Sequence, residues 1–550
     1  MESIEKKLKE HMNDSASIPY PDFEGVWNSI QLKEMRTIDS DDIRVRPMRG
    51  RKVAIIVGIS VALLATPVYA AITYDWTSVL TYRTGIQSAL DQGLGQTIEQ
   101  SVTKNGVTLT LHTAFTDENR TVILYSLNPG SSREGKNVSY ESIGLRDSTG
   151  NLIEGHYTQQ WNPQLGVYQG YFESDWVVTG SMADVEFMIE DIRYIDDGVQ
   201  PIDFDPNNPN AQEFPIQKDG IGSVTVQSFD QSEGKVLLKS SITSTDPELK
   251  EWSWARIQAL NGNNELIREV EPSVFGTPGA SGEYNSQQIF ELNQLNGQGN
   301  HYVLAYDREV AHVKGEWGLN VSLSKKQLES GTFKENLNIP LKQLPGGTEV
   351  SEMIVTPTQI RLILTHEEKY TRVPYQNYQL DVGGTLLNGG QWYVEGNTNK
   401  TELRFEMGML EVNSIANKPI NLIAKHRVDE HVGNHIPVRL MDISSERKTI
   451  TTDYEGYPVT WTYYKKDNNL YVESLSSDSE FGGVNQTYYL DGTERSYGTS
   501  VIVDLNGDGN NKQIDLYKNF DRGELEIYVW YYSTEKPEDE LRVELSQGEK

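Results

Sequence analysis

The stretch VTLTLHTAFTDENRTVILYSL, residues 107–127, reads as two strands joined by a turn. Val107, Leu109 and Leu111 alternate with polar residues, and the mostly apolar run TVILYSL follows Asp117-Glu118-Asn119. Alternation with a period of two is typical of a half-buried strand, and Asp and Asn favour turns. The stretch therefore predicts a β-hairpin.

The same strand–turn–strand pattern recurs three times further along the chain. It is seen in residues 223–242, 351–364 and 459–475. Strands such as VEFMIEDI (185–192), WGLNVSLS (317–324) and LEIYVWYY (525–532) follow these hairpins. Many short strands with turn signals at this spacing are typical of immunoglobulin-like sandwiches. We therefore expect a mainly β fold with three to four immunoglobulin-like β-sandwich domains.

Breaks in composition suggest where these domains begin and end. The segment DPNNPNAQEFP (205–215) is rich in Pro and Asn, LPGGTE (344–349) contains Pro and two Gly, and a softer break lies near residue 443. The predicted β domains are therefore 74–205, 216–344, 345–443 and 444–550. One helix is also expected in residues 85–100, interrupted by glycines, from the spacing of Ile86, Ala89, Leu90, Leu94 and Ile98.

An uncharged stretch near the N-terminus is long enough to cross a membrane. VAIIVGISVALLATPVYAAITY lies between Lys52 and Asp75, and about 20 apolar residues span a bilayer as a helix. RVRPMRGRK (44–52) precedes it, and clustered Lys and Arg stay on the cytoplasmic side. The alternative is a cleaved signal peptide, but 52 preceding residues are too many for an ordinary one. We expect a cytoplasmic tail (1–52), a transmembrane helix (53–73) and an extracellular bulk.

The amino-acid composition limits the classes of partner that the predicted extracellular part can bind. The net charge of the chain is −30, and residues 1–52 contribute none of it. An acidic exterior repels nucleic acid, so nucleic-acid binding is not expected. The chain has no cysteine, which excludes disulfides, cysteine nucleophiles and thiolate zinc sites.

The tail carries two apolar stripes with helical spacing. Residues 1–14 place Ile4, Leu8 and Met12 four apart, and the segment after Pro21-Asp22 places Phe23, Val26, Trp27 and Ile30 on one face. Two helices this short cannot bury their stripes against each other, so the stripes predict a binding partner. The candidate contacts are Leu8, Phe23, Val26, Trp27 and Ile30. The alternatives are helices lying on the membrane surface or a partly disordered tail.

These features together resemble a known family. The two-helix tail with PDFEGVW, the basic stop, the apolar span ending in PVYA, and the pair VTKNGVTLTL and DENRTVILYSL resemble Gram-positive membrane proteins of domain-of-unknown-function family 4179. Members are often encoded beside extracytoplasmic-function (ECF) sigma factors and are regarded as anti-sigma factors. The segment VTPTQIRLIL (355–364) resembles a second uncharacterised module that often accompanies them. The tail has a single histidine, so the resemblance implies a zinc-free sigma contact.

The chemistry that the sequence suggests is structural and not catalytic. No GxSxG, HExxH, P-loop or GxGxxG motif is present, and SLSK (322–325) has no partner motif. We therefore expect no enzyme. The expected function is a membrane-anchored regulator that sequesters an ECF sigma factor with its tail and senses the envelope outside. The alternative is a surface adhesin or wall-binding protein without a sigma partner, so a cell-wall or envelope ligand is the candidate partner outside.

One loop has the spacing of a calcium site. VDLNGDGNNKQID (503–515) places Asp504, Asn506, Asp508, Asn510 and Asp515 at loop positions 1, 3, 5, 7 and 12, with a glycine at position 6. Calcium loops use oxygen ligands at these positions. The flanks read as strands and not helices, so a plain Asn/Gly-rich hairpin is the alternative. Structural Ca²⁺ is the only cofactor that the sequence suggests.

If this loop binds calcium, millimolar calcium should raise the melting temperature of the C-terminal domain, because a ligand that binds only the folded state stabilises it. The expected dissociation constant is about 10⁻⁴–10⁻³ M. Asp504→Ala should abolish the shift. Identical melting curves in calcium and in chelator would leave the hairpin interpretation alone.

Overall fold

The computed structural model describes residues 74–548, apart from 131–132, 232–233, 246–254, 271–273, 279–281, 330, 395, 409, 411, 416, 467, 504, 506 and 508–510. The predicted tail helices and the predicted span Val53–Ile72 lie outside the described residues. None of the helices in the described part of the chain combines the length and hydropathy needed to span a bilayer.

The first of four β units follows a short helix. Its elements are α1 (Thr84–Asp91), β1 (Gln96–Lys104), β2 (Val107–Thr116), β3 (Thr121–Asn128), β4 (Asn137–Arg146), β5 (Leu152–Ile153), β6 (His156–Asn162), β7 (Val167–Ser174) and β8 (Met182–Ile202).

The second β unit repeats this series. Its elements are β9 (Gln212–Lys218), β10 (Ile221–Asp230), β11 (Lys235–Ser244), β12 (Arg256–Leu260), β13 (Leu266–Ile267), β14 (Val274–Pro278), β15 (Tyr284–Glu291), α2 (Leu292–Leu295) and β16 (His301–Ser324).

The third β unit begins after a one-turn helix, α3. The elements are α3 (Lys326–Glu329), β17 (Phe333–Pro340), β18 (Glu349–Val355), β19 (Gln359–Thr365), β20 (Tyr375–Val382), β21 (Thr385–Tyr393), β22 (Lys400–Glu406), α4 (Val412–Ile415), β23 (Ile420–Val432) and β24 (Val438–Leu440).

The fourth β unit ends the described chain. Its strands are β25 (Lys448–Tyr454), β26 (Tyr457–Lys466), β27 (Asn469–Ser476), β28 (Phe481–Asp491), β29 (Glu494–Tyr497), β30 (Thr499–Val503), β31 (Gln513–Tyr517) and β32 (Leu525–Ser546).

Each unit is built on the same sheet order. The first contains β1-β2-β3-β7-β6, the second β9-β10-β11-β15-β14 and the fourth β25-β26-β27-β31-β30, so the order repeats. The third begins in the same way, with β17-β18-β19-β22-β21. The four hairpins predicted from the sequence are β2–β3, β10–β11, β18–β19 and β26–β27, and each has a further strand on both sides in its sheet. The mainly β fold is confirmed.

Two very long strands join the first and second units. Strand β8 pairs with β16 antiparallel from Met182–Ser324 to Ile202–Tyr302. One half of this ribbon, including Trp317, packs into the first core, and the other half, including Leu304, packs into the second. Each core is therefore completed by a strand from the other unit.

The third and fourth units share the strand β32 in the same way. Strand β32 pairs with β23 along most of its length, and with β28 near its beginning. Ile527 lies in the fourth core, whereas Leu541 and Val543 lie in the third. The first and second units thus form one pair, and the third and fourth form another.

An apolar contact also joins the two pairs. The outer face of the second unit presents Phe229, Leu237 and Ile289 to Tyr464 and Ile514 on the outer face of the fourth. Polar contacts border this interface, since Gln287 Nε2 donates a hydrogen bond of 3.0 Å to the Val501 carbonyl. The second unit therefore packs on the fourth, and the four units belong to one compact body.

The predicted helix after Tyr74 is shorter in the structure. It ends at Asp91, Gly93 follows with φ of +70°, and Ile98 lies in β1. Glycine adopts this left-handed conformation without steric cost and so ends helices. The predicted cut between 205 and 216 places β8 and β16 in different domains, although the two strands pair in one sheet.

The shared strands predict which fragments fold. Residues 74–344 contain both β8 and β16 and should melt cooperatively, because both of their cores are complete. Residues 74–300 lack β16, so neither core has its closing strand and the hairpin-rich fragment should not melt cooperatively. Circular dichroism melting of the two fragments checks this. A cooperative transition in residues 74–300 would contradict the shared-strand architecture.

Candidate functional site

The turn between β2 and β3 is held by one carboxylate. Asp117 Oδ1 accepts hydrogen bonds from the backbone N–H of Asn119 at 2.7 Å and of Arg120 at 3.0 Å. An Asp side chain that bonds the backbone two and three residues on is a common way to fix a turn. This turn, DENR (Asp117–Arg120), projects the Arg120 side chain away from its own hairpin.

The Arg120 side chain contacts the turn between β18 and β19. In this TPTQ turn (Thr356–Gln359), Thr356 Oγ1 donates to the Gln359 carbonyl at 3.0 Å and accepts from its N–H at 3.1 Å. Thr356 and Thr358 are completely buried. The DENR turn of the first unit and the TPTQ turn of the third therefore meet in space.

Arg120 is the centre of this junction, with only 1% of its side chain exposed. Its Nη1 donates to Glu173 Oε1 and to Glu406 Oε1, both at 2.7 Å. Its Nη2 donates to Glu406 Oε2 and to the Thr358 carbonyl, both at 3.0 Å, and its Nε donates to Thr358 Oγ1 at 3.2 Å. A guanidinium has five N–H donors, and all five are used.

Further hydrogen bonds and a second arginine surround this centre. Thr358 Oγ1 donates to Asp117 Oδ2 at 2.6 Å, and Asn119 Nδ2 donates to the Gln359 carbonyl at 3.2 Å. From the third unit, Arg361 Nη2 donates to the Asn119 carbonyl at 2.7 Å. The two turns are thus bonded in both directions, which fixes their relative orientation as well as their distance.

The carboxylate of Glu173 stays ionised in spite of burial, because its pKa is lowered. Burial alone would raise the pKa of Glu173, but Arg120 and Arg83 hold that pKa at about 2. Burial alone would lower the pKa of Arg120, but Glu406 and Glu173 raise it. Since the folded-state pKa of Glu173 is below its ordinary value, the pairing stabilises the fold above about pH 4.5. That stability is lost as the pH falls toward 2.

A glycine allows helix α1 to reach the same carboxylates. The backbone N–H of Gly85 donates to Glu406 Oε2 at 3.2 Å. A β-carbon at this position would lie 1.8 Å from the Thr358 carbonyl oxygen, so only glycine fits. Trp76, Ile86 and Leu90 pack beside this contact in a buried cluster. The chain just beyond the predicted span is therefore anchored at the junction.

A cavity of about 360 Å³ lies beside the junction, where the chain passes from the first pair to the second. Asp117, Glu118, Leu328 and Phe333 contribute to its lining. Glu118 pairs with Lys325 at 2.5 Å and with Lys334 at 2.7 Å, and hydrogen bonds from these lysines lower its pKa. These two ion pairs hold the segment that connects the second and third units against the DENR turn.

The predicted sigma-binding residues Leu8, Phe23, Val26, Trp27 and Ile30 lie outside the described residues, so that site stays a prediction. The predicted calcium ligands Asp504, Asn506, Asp508 and Asn510 also lie outside them.

Asp515, the last predicted calcium ligand, is described and is completely buried in β31. Its Oδ2 accepts from Thr487 N–H at 2.6 Å and from Thr487 Oγ1, while its Oδ1 accepts from Gln513 Nε2 at 2.6 Å and from Ser500 Oγ at 3.2 Å. A calcium ion that used Asp515 would have to displace some of these donors. The calcium site stays a prediction.

Two further groups of residues that are close in the sequence have separate partners in the structure. The histidines of AKHRVDEHVGNH do not converge, since His426 contacts Glu535, His431 contacts Thr534 and His435 contacts Tyr488. Across the described residues, no three His, Asp or Glu side chains form a metal-binding group. In SLSK, Ser322 donates to Asp184, whereas Lys325 pairs with Glu118.

The charged partners of Arg120 at the junction have no recognisable pattern in the sequence. Glu173 and Glu406 lie 53 and 286 positions from Arg120. A single charged residue at a strand end has no periodic signal, so nothing local distinguishes these two glutamates from exposed ones. The sequence does mark the two turns that meet at the junction, because DENR and TPTQ each lie between the strands of a predicted hairpin.

Comparison with known proteins identifies part of the chain. Residues 49–128 match the family model "Domain of unknown function (DUF4179)". The predicted family resemblance is confirmed for this DUF4179 segment, which contains the whole DENR turn. No curated protein matches the chain significantly. A solved structure, a conserved domain protein from Bacillus anthracis, is similar at 12% identity over 57% of this chain and 89% of that one, with a TM-score of 0.16.

Replacement of Arg120 should be costly. Arg120→Met removes the buried cation that Glu173 and Glu406 share and leaves Glu173 with Arg83 alone. Breaking a buried ion pair in this way costs about 3–5 kcal/mol. The matched control is Arg372→Met, because Arg372 pairs with Glu430 at 2.9 Å with both side chains more than half exposed. An exposed pair contributes about 1 kcal/mol or less. Urea denaturation measures both changes, and equal small losses would show that the junction contributes little.

Proposed function

We propose that this chain is a membrane-anchored regulator, an anti-sigma factor that holds an ECF sigma factor on its cytoplasmic tail. Its exterior would sense the state of the envelope. The proposal includes a single transmembrane helix at residues 53–73, a cytoplasmic N-terminus and an extracellular bulk. The basic run before the apolar stretch supports this orientation.

The observation that carries the proposal is the extent of the DUF4179 segment. It includes the end of the basic run, the predicted span, helix α1 and the DENR turn. The same segment is fixed to the third unit by the saturated Arg120 side chain and by the close contact of Gly85. A change in the exterior therefore has a short and rigid route to the residues that follow the span.

The proposed mechanism inside the cell is sequestration. The stripes around Leu8 and from Phe23 to Ile30 would cover the surface of the sigma factor that binds RNA polymerase. In the predicted helix, Phe23 and Trp27 would lie one turn apart on one face, which suits a groove on a partner. Release would follow either proteolysis near the span or a change in the exterior. The rigid junction favours the second route, because it transmits movement of the third unit.

We further propose that the four β units are immunoglobulin-like sandwiches. In the first unit the sheet order β2-β3-β7-β6 faces β4-β8-β16, which corresponds to strands A-B-E-D and C-F-G of a constant-type domain. The second unit follows the same correspondence, with β12-β16-β8 in place of C-F-G. The last strand of each sandwich would then come from its neighbour.

Binding of the isolated tail tests the function. Residues 1–52 should bind an ECF sigma factor of the same organism in a pull-down or two-hybrid assay against every such factor in the genome. Phe23→Ala or Trp27→Ala should weaken binding by more than about tenfold, because each removes a large anchor from a small interface.

A matched control is Asn28→Ala, because helical spacing places Asn28 on the face opposite Phe23 and Ile30. It should change the affinity little. Deletion of the tail should raise transcription of the sigma factor's targets. If no sigma factor binds, the proposal fails and the alternative of a surface adhesin or wall-binding protein takes its place.

A further inference from the structure

The outer face of the fourth unit carries a contiguous group of aromatic rings. Tyr497, Tyr488 and Tyr528 are direct cross-strand neighbours on β29, β28 and β32. The centroid of Tyr488 lies 5.6 Å from that of Tyr497 and 5.4 Å from that of Tyr528. Tyr488 is buried beneath its neighbours, while Tyr497 is 39% exposed. We call Tyr488, Tyr497, Tyr528, Trp530 and Tyr531 the aromatic platform.

A bulge in β32 extends the platform. Thr487 pairs with Val529 and Gln486 with Tyr531, so Trp530 is an extra residue in the strand. A bulge changes the direction of side chains and is common beside functional sites. Here the Trp530 ring lies 4.7 Å from Tyr497 and 5.0 Å from Tyr531, and both tyrosines are exposed. The bulge therefore places two successive aromatic residues at the surface.

Charged side chains border the rings. In the next row of the sheet, Arg439 pairs with Glu526 at 2.9 Å, and both side chains are about half exposed or more. The guanidinium of Arg495 lies 4.8 Å from the Tyr488 centroid. A depression of about 810 Å³ begins at Tyr528 and is lined by Arg439, Arg522 and Glu526 among others. Donors and acceptors thus stand next to apolar ring faces.

We propose that the aromatic platform and this depression bind an uncharged polysaccharide. A sugar ring has an apolar face of C–H groups and an edge of hydroxyl groups. The faces suit the electron-rich faces of Tyr528 and Trp530. Each hydroxyl both donates and accepts, so it suits a border in which Arg439 and Glu526 offer both roles within one ion pair.

The net charge of the chain indicates which class of polysaccharide the platform favours. A net charge of −30 repels polyanions, whereas an uncharged glycan meets no such barrier. The border is close to neutral, because Arg439 is matched by Glu526 and Arg522 by Asp491 at 3.0 Å. An uncharged, amphipathic polymer is therefore the occupant that the surface favours.

This inference names a ligand class for the exterior and rests only on the extracellular half of the proposed function. Sigma binding plays no part in it, since the platform lies in the fourth unit and the sigma contacts are proposed for the tail. Failure of either proposal leaves the other standing.

The test uses the purified full-length chain in a detergent without a sugar headgroup. Three uncharged hexasaccharides, of β-linked N-acetylglucosamine, β-linked glucose and α-linked glucose, are titrated by calorimetry and by tryptophan fluorescence with no sigma factor present. We expect at least one to bind. Tyr528→Ala and Trp530→Ala should each weaken that binding about tenfold or more, while Trp530→Phe, which keeps an aromatic face, should retain most of it.

The control variant is Tyr370→Ala, which removes a tyrosine that is 78% exposed in the third unit, away from the platform. It should leave the affinity unchanged. Melting curves of all variants show whether they are folded. The proposal is overturned if none of the three glycans binds. It is also overturned if the alanine variants bind as tightly as the unaltered chain, or if dextran sulfate binds more tightly than the uncharged glycans.

Discussion

The fold depends on strands that belong to two cores at once. The first core is not complete until Trp317 enters it, and that indole donates a hydrogen bond of 3.1 Å to the Val107 carbonyl, 210 positions earlier. The ribbon of β8 and β16 then continues into the second core, with two register shifts along its length. Because the sheet is continuous, the two units cannot rotate against each other without breaking its hydrogen bonds. The same holds for the third and fourth units along β32.

The junction at Arg120 adds a different kind of constraint. Apolar contacts such as those between the second and fourth units are tolerant of small shifts, because they depend on area and not on direction. A buried guanidinium with five directed hydrogen bonds tolerates little, since each lost bond leaves a buried donor without a partner. Buried ion pairs are weak evidence for stability in general but can define a unique arrangement. Here the arrangement is that of the DENR turn on the TPTQ turn.

Local patterns predicted the local structure well. The hairpins at 107–127, 223–242, 351–364 and 459–475 are all present, because alternation with a period of two and turn residues are contained within each stretch. The helix was expected to run too far, since Leu94 and Ile98 fit a helical spacing and a strand equally well.

Sequence patterns could not predict which strands pair across the chain. In the sequence, β8 and β16 look like ordinary closing strands. The residues that pair between them lie about a hundred positions or more apart, so no local pattern marks the pairing. The charged partners of Arg120 have no pattern at all. The helical tail and the membrane span, by contrast, are predicted from the sequence alone, because both lie outside the described residues.

Sharing strands also has a consequence for the order in which the chain can fold. During synthesis β8 is made long before β16. The edge of β8 that pairs with β16 therefore stays unpaired while the rest of the second unit is being produced. Closing contacts between distant residues is slow, and exposed strand edges invite aggregation in the meantime. The chain therefore depends on protection of β8 in the interval before β16 is available, and a pause within the second unit would prolong that vulnerable state.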